Sequence, residues 1–354
     1  MLPPTWCTTT LVGVTDQVVG RRGPTAAERA TRYAPYTRFR AVLLIMGFAP
    51  LVIVPWLLHV WPLPDHGVWN SSIVYFTGVL HVGMTSFFYL DPELREFRRG
   101  RRSLFVGWPL AVGLAMGVAL SVLPANGILA VNAAFAIWLG WHYTGQQVGV
   151  VAMALKGEVA TARLLPRERQ FIRWTAAVTI TGLVRTVDLS DTPFRHLDLL
   201  LVCRVGFAAL IAVLIWLLVR AKANPAAGGG TWATRAVALT WATAFVAPLA
   251  LVRNPVVGAA TIAAVHSLHY VFLVAYLSRS RRQWAWVGTL LLGAAAGGLY
   301  MVVQEWGPTR GLSSHVVPVF LYTMVAAHRV VDTRVWRLRE PERLDYMRRS
   351  FQFL

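Results

Sequence analysis

Apolar residues run in long blocks separated by short polar, arginine-bearing stretches. A helix needs roughly 20 mostly apolar residues to cross a hydrocarbon core. Ten blocks meet that length: 41–62, 68–90, 103–123, 127–154, 172–190, 197–219, 232–252, 256–278, 284–304 and 313–332. The fifth is the weakest, because Arg185 and Asp188 fall near its end, and the seventh and tenth are shorter or more polar than the rest. The pattern predicts an all-α, polytopic integral membrane bundle of about ten transmembrane helices. It divides the chain into an N-terminal segment 1–40, a transmembrane domain 41–332 and a tail 333–354.

The connections orient the bundle. With the N-terminus inside, the inner segments hold 29 Lys and Arg, against four in the outer ones: Arg185, Arg195, Arg253 and Arg310. Positive residues stay on the cytoplasmic side, so both termini are expected there, in a bacterial inner or plasma membrane. No cleavable signal is expected, because residues 1–40 are polar and the first apolar run is long enough to remain an anchor. Asn224–Gly230 (NPAAGGG), within the inner connection near 220–231, reads as a flexible linker between six spans and four. The tail reads as a basic, partly amphipathic helix along the inner face.

Composition agrees with this picture. The chain is 56% hydrophobic and 14% charged, with a mean hydropathy of +0.52. That is too apolar for disorder and too poor in charge for an ordinary soluble domain. The net charge of +18 would suggest nucleic acid in a soluble protein. Here the basic residues lie between apolar blocks, so membrane lipids are the partner and no nucleic acid is implied. Two cysteines, Cys7 and Cys203, exclude a disulfide framework.

The chemistry lies in the histidines. His59, His66, His196 and His315 fall in outer connections or at outer span ends, where with Asp65 they would make at most a weak surface site. His81, His142, His266, His269 and His328 fall within spans, where polar groups are costly and usually functional. All five sit on even-numbered spans, which run from outside to inside, at depths of about 6–18 Å from the inner boundary by helical rise. If those helices pack together, the rings converge on one metal ion or on two adjacent ones.

Neighbours at helical spacing add to the set. Thr85 follows His81, Gln146 follows His142, Tyr270 follows His266, and Asp332 follows His328, each at i+4. Asp332 and Tyr270 are candidates to hold or orient the cofactor, and Tyr143, Gln146 and Thr85 to steer a bound oxygen. Neutral imidazole suits a transition metal, iron first and copper as the alternative. Haem held by histidine pairs is a further option. Arg185, Asp188, Asp198 and Arg204 read as an ion-pair network at the outer ends of spans five and six, and the glycines of span nine (GAAAGG) as a close helix contact. No HExxH, Walker or nucleic-acid motif is present.

Three segments, LHVGMTSF (80–87), VHSLHYVF (265–272) and AAHRVVDTRVWR (326–337), resemble the histidine-bearing segments of the Brp/Blh family. Those are polytopic membrane proteins that cleave β-carotene to retinal with histidine-bound iron. The resemblance covers 28 of 354 residues. It implies a metal site built from His81, His266, His269 and His328 with Asp332 beside it. The sequence thus points to a membrane metalloenzyme, an iron- or copper-dependent oxygenase acting on an apolar isoprenoid, carotenoid or acyl-chain substrate, with a redox donor as a possible partner. A haem-binding electron carrier and a histidine-dependent proton-coupled transporter are the alternatives.

Overall fold

The computed structural model describes residues 26–60, 78–156, 162–187, 189, 192–224, 228–229, 231–281, 285–306, 316–336 and 340–351. Cys7, Asp65, His66, Asp188 and His315, and the side chain of His59, lie outside the described residues. Among the described residues there is no strand. The helices are α1 (Ala26–Val60), α2 (Gly78–Leu90), the short α3 (Arg95–Arg99), α4 (Ser103–Val122), α5 (Ala125–Lys156), α6 (Pro166–Val184), α7 (Leu199–Ala223), α8 (Trp232–Ala244), α9 (Ala247–Leu251), α10 (Pro255–Arg281), α11 (Ala285–Trp306), α12 (Val316–Arg334) and α13 (Pro341–Arg348).

The described part of each apolar block falls mainly on one of these helices or on a consecutive pair. Among the described residues, four stretches are long and apolar enough to cross a membrane: Thr37–Leu57 in α1, Ser103–Val122, Leu199–Ala223 and Pro255–Ser280. Gly78–Leu90 and Ala285–Leu299 are apolar but shorter. The outer surface fits lipid. On α4, Leu110, Leu114, Val118 and Val122 form an exposed stripe at i, i+4 spacing, and on α7 so do Leu201, Val205, Ile215, Trp216 and Val219 around much of the helix. Water would leave such continuous apolar faces unsatisfied.

The interior is organised around α10. Its apolar window is 67% buried, against 22% for the other three long candidates, which makes it the central helix. It packs against α1, α9 and α11, while α5 packs on α6 and α12 on α4. Two contacts depend on glycine. Gly113 of α4 lies against Thr323 and the Val319 carbonyl of α12. Gly293, first glycine of the span-nine run, faces α2 so closely that a Cβ there would stand 2.6 Å from the Leu80 carbonyl oxygen. Both contacts bring a histidine-bearing helix close to its neighbour.

The seventh block is a broken helix, α8 followed by α9. Pro248 lacks an amide donor and its ring clashes with the preceding turn, so the helix bends near Phe245. Guanidinium groups satisfy the backbone around α9. Arg185 donates to the carbonyls of Leu249 and Arg253, both at 2.7 Å, and Arg204 donates to that of Ala250 at 3.3 Å. Asp198 caps α7 through the Leu201 amide at 2.9 Å. Among the described residues, Arg185, Asp198 and Arg204 make no ion pair with one another. Of the network expected from sequence, these three described members cap helix ends, where unpaired carbonyls and amides are the nearer partners, while Asp188 lies outside the described residues.

The linker between α7 and α8 is a pinned turn where it is described. Gly228 and Gly229 have φ of +90° and +68°, a region open to glycine without steric cost. The Gly228 carbonyl accepts from the Arg163 amide at 2.9 Å, and that of Gly229 from Arg235 at 3.0 Å. Arg235, itself buried, forms a close ion pair with buried Glu168, whose carboxylate also accepts from the Leu165 amide at 2.9 Å. The flexibility expected of NPAAGGG therefore does not extend to its two pinned glycines. Breaking the pair with Arg235→Met should destabilise the fold by about 3–5 kcal/mol, since a buried carboxylate is left uncompensated. Adding Glu168→Leu should recover most of that loss; denaturant unfolding in detergent measures both.

The tail folds back on the bundle instead of only lying along a lipid surface. The Tyr346 hydroxyl donates to Asp91 at 2.6 Å, Arg349 pairs with Glu93 at 3.0 Å, and the Arg343 guanidinium lies 3.3 Å from the Phe97 ring centroid. Phe351 is buried among Phe39, Tyr276 and Trp336. This clasp joins α13 to the ends of α1, α2 and α10.

Candidate metal centre

Four helices deliver one imidazole each to a common point. α2 brings His81, α5 His142, α10 His266 and α12 His328, and all four are buried. Their ring centroids close a quadrilateral. His81 to His266 is 4.9 Å, His266 to His142 is 5.0 Å, His142 to His328 is 5.3 Å, and His328 to His81 is 4.8 Å. Asp332, one helical turn after His328, places Oδ2 3.4 Å from His328 Nε2 and 3.5 Å from His142 Nε2.

Hydroxyl groups orient two of the rings. Ser267 Oγ lies 3.0 Å from His81 Nδ1, and Thr85 Oγ1 lies 2.9 Å from His328 Nδ1. α2 tightens at Thr85, where the amides of Thr85 and Phe88 each bond three residues back. Thr85 Oγ1 also meets the Tyr270 hydroxyl at 3.1 Å. When Nδ1–H donates to a hydroxyl, Nε2 keeps a lone pair free for a ligand, the usual arrangement of metal-binding histidines. His266 has neither nitrogen hydrogen-bonded, although it is 0% exposed. A buried polar group without a partner is costly, and an ion would relieve that cost.

Two groups have ligand atoms that all lie within 4.8 Å of one another: His81, His266 and His328, and His142, His328 and Asp332. His328 belongs to both. Its Nδ1 faces Thr85, which leaves Nε2, and one imidazole nitrogen serves one ion. The two groups are adjacent and share His328, and neither joins Asp332 to His81 or His266. His142 differs from the other three rings. Arg329 Nη1 lies 2.8 Å from its Nδ1, and a guanidinium can only donate. Nδ1 is thus the acceptor, and the neutral ring carries its proton on Nε2, facing Asp332.

His269 does not join the set. Its Nε2 donates to the Leu43 carbonyl of α1 at 3.1 Å, and its ring lies 4.9 Å from that of Trp241. Helical geometry explains the split. Tyr270 follows His266 by one turn on nearly the same face, while His269 is displaced about 100° from Tyr270, toward α1 and α8. Tyr143 packs its ring 4.4 Å from that of His266. Gln146 donates to the His266 carbonyl at 3.4 Å and leaves Oε1 without a partner. Of the three residues expected to steer oxygen, Thr85 is engaged by His328 and Tyr270, Tyr143 packs, and Gln146 lines the adjoining cavity.

Sequence reasoning missed Ser267 and Arg329. Ser267 was legible as the polar residue directly after His266. Arg329 had been counted among the inner-face anchors, and only the tertiary structure turns it onto His142. His196, from the outer set, is exposed and pairs with Arg195 at 3.0 Å. The cavity beside the centre has a volume of about 240 Å³ and reaches His142 and Asp332. No family model, curated protein or solved structure matches the chain.

Proposed function

We propose that the protein is an integral membrane metalloenzyme of about ten spans with both termini on the inner side. Its site holds one transition-metal ion through His81, His266 and His328, with the Asp332 carboxylate beside His328, and its substrate is lipid-soluble. The observation that carries this is His266, fully buried with both nitrogens unpartnered and faced by three further imidazoles. Three imidazoles and a carboxylate suit iron, with copper as the alternative. Bound there, such an ion supplies redox chemistry toward O₂ and an apolar substrate, which makes an oxygenase the reaction class.

The chain's own groups have defined parts. Ser267 and Thr85 hold the Nδ1 edges of His81 and His328 and so orient both rings. Arg329 holds the His142 proton on the nitrogen facing Asp332, so His142 is a positioning residue for the carboxylate. Gln146 Oε1 offers an acceptor at the cavity wall, and Val150, Met153, Leu273 and Trp336 give that wall an apolar surface. The similarity of 80–87, 265–272 and 326–337 to Brp/Blh segments supports an isoprenoid chain as substrate. Four rings converging on one point leave little room for a porphyrin, which weighs against the haem alternative.

Elemental analysis of the detergent-purified protein tests the proposal. One iron or copper per chain is expected in the wild type, and its loss in His81→Ala and His328→Ala. A folded wild-type protein that binds neither metal after reconstitution would overturn it.

A further inference from the structure

We propose that substrate reaches the centre sideways, through a gap in the outer face of α5 that Gly145 and Gly149 hold open. These two glycines then set how bulky a chain is admitted. This rests on the metalloenzyme proposal and adds the route and the shape of the substrate.

The cavity of about 240 Å³ runs from His142 and Asp332 along Val150, Met153 and Leu273, and its rim includes both glycines. Gly145 and Gly149 are exposed, and a Cβ built on either would meet nothing within 4 Å. They stand one turn apart on the face that carries Trp141, itself 57% exposed. A bulky apolar surface is therefore interrupted by a notch at the point where the cavity opens.

Packing does not account for this pair. Gly113, Gly140 and Gly293 each lie where a Cβ would strike a neighbouring helix, which is reason enough for glycine there. Gly145 and Gly149 have no such neighbour, as is true of Gly78, Gly107, Gly288 and Gly298, but unlike those four they line the cavity. Each still costs about 1 kcal/mol relative to alanine in a helix interior. Open space at the cavity mouth supplies the missing reason.

A second observation points to a ligand. Gln146 Oε1 is buried without a hydrogen-bond partner, and Gln146 lines the cavity beside His142. The walls behind them are apolar, and the mouth lies on a helix whose outer face suits lipid. The occupant that fits is a slim, flexible acyl or isoprenoid chain arriving from the bilayer. A rigid fused-ring lipid would not pass a notch two glycines wide.

A long-chain alcohol carrying a diazirine on its tail serves as the probe. It is added to the metal-loaded protein in lipid nanodiscs, photolysed, and the adducts are mapped by mass spectrometry. Labels are expected on Met153, Leu273 and Trp336 in the wild type. Gly145→Trp should lower that labelling about tenfold by filling the mouth of an occupied pocket, with metal content unchanged. Gly145→Ala should retain it. Gly149→Leu gives the same readout should the tryptophan variant fold poorly. Unchanged labelling in folded Gly145→Trp and Gly149→Leu, or no label on the cavity walls of the wild type, would overturn the lateral entrance. Loss of the metal proposal shows separately, as absence of metal in the wild type whatever the labelling.

Discussion

Alanine at His266 is expected to empty the metal centre, while alanine at His269, three residues later, leaves the ion bound. The two rings share a helix and a short motif, yet their surroundings differ. His266 faces His81, His142 and His328 and has no hydrogen bond of its own. His269 spends its proton on the Leu43 carbonyl. Losing His266 removes a proposed ligand at one corner of the four-ring cluster. Losing His269 removes one interhelical hydrogen bond, worth about 0.6–1.7 kcal/mol in a membrane bundle. Metal analysis and thermal unfolding of the two variants separate the effects. Equal loss of metal from both would return His269 to the ligand set and contradict the geometry.

A second large effect is expected at His142, and it should be graded. His142→Ala removes the donor that faces Asp332 but leaves three imidazoles and the carboxylate in place. Groups that orient a metal ligand are typically worth about 10–100-fold in affinity, so metal should bind to this variant that much more weakly. Titration of the chelator-stripped protein with ferrous iron measures the change. Gln at this position keeps an amide donor and should recover part of it. Arg329→Met adds a spectroscopic check. Without the guanidinium on Nδ1, the His142 proton is free to move to that nitrogen, and the exposed Nε2 lone pair should add a fourth imidazole to the ion's electron-spin signature. Complete loss of metal in His142→Ala would make this ring a ligand and exclude its positioning role.

The difference between the two histidine predictions shows where one-dimensional information stops. Spacing placed His266 and His269 on neighbouring parts of a helix surface, and both were expected to share an ion. A separation of three residues still leaves tens of degrees of rotation, and the helix beyond decides which ring meets what. Here α1 offers a bare carbonyl to one, and α2, α5 and α12 offer imidazoles to the other. The same limit applied to Arg329. Counting basic residues treats an arginine at a span end as an anchor, but position 329 lies about 100° round the helix from His328, toward α5, where a ring nitrogen can accept from it.

Much else was legible because it depends on local physics. Long apolar blocks have one low-cost way to satisfy their amides in lipid, which is to become helices, and helices are what the described residues contain. Histidines that recur at matched depths on helices running the same way are costly unless used together, so His81, His142, His266 and His328 were identifiable as a group before any packing was known. Asp332 followed from i+4 spacing. What tertiary structure alone decided was rotation and proximity: which face of each helix turned inward, that His269 left the set, that Ser267 and Thr85 met the Nδ1 atoms of His81 and His328 while Arg329 met that of His142, and that Gly145 and Gly149 lined the cavity while Gly113, Gly140 and Gly293 filled helix contacts. Periodicity records direction along a helix and roughly around it. Partners across the bundle, far away in sequence, determine what each of those directions meets.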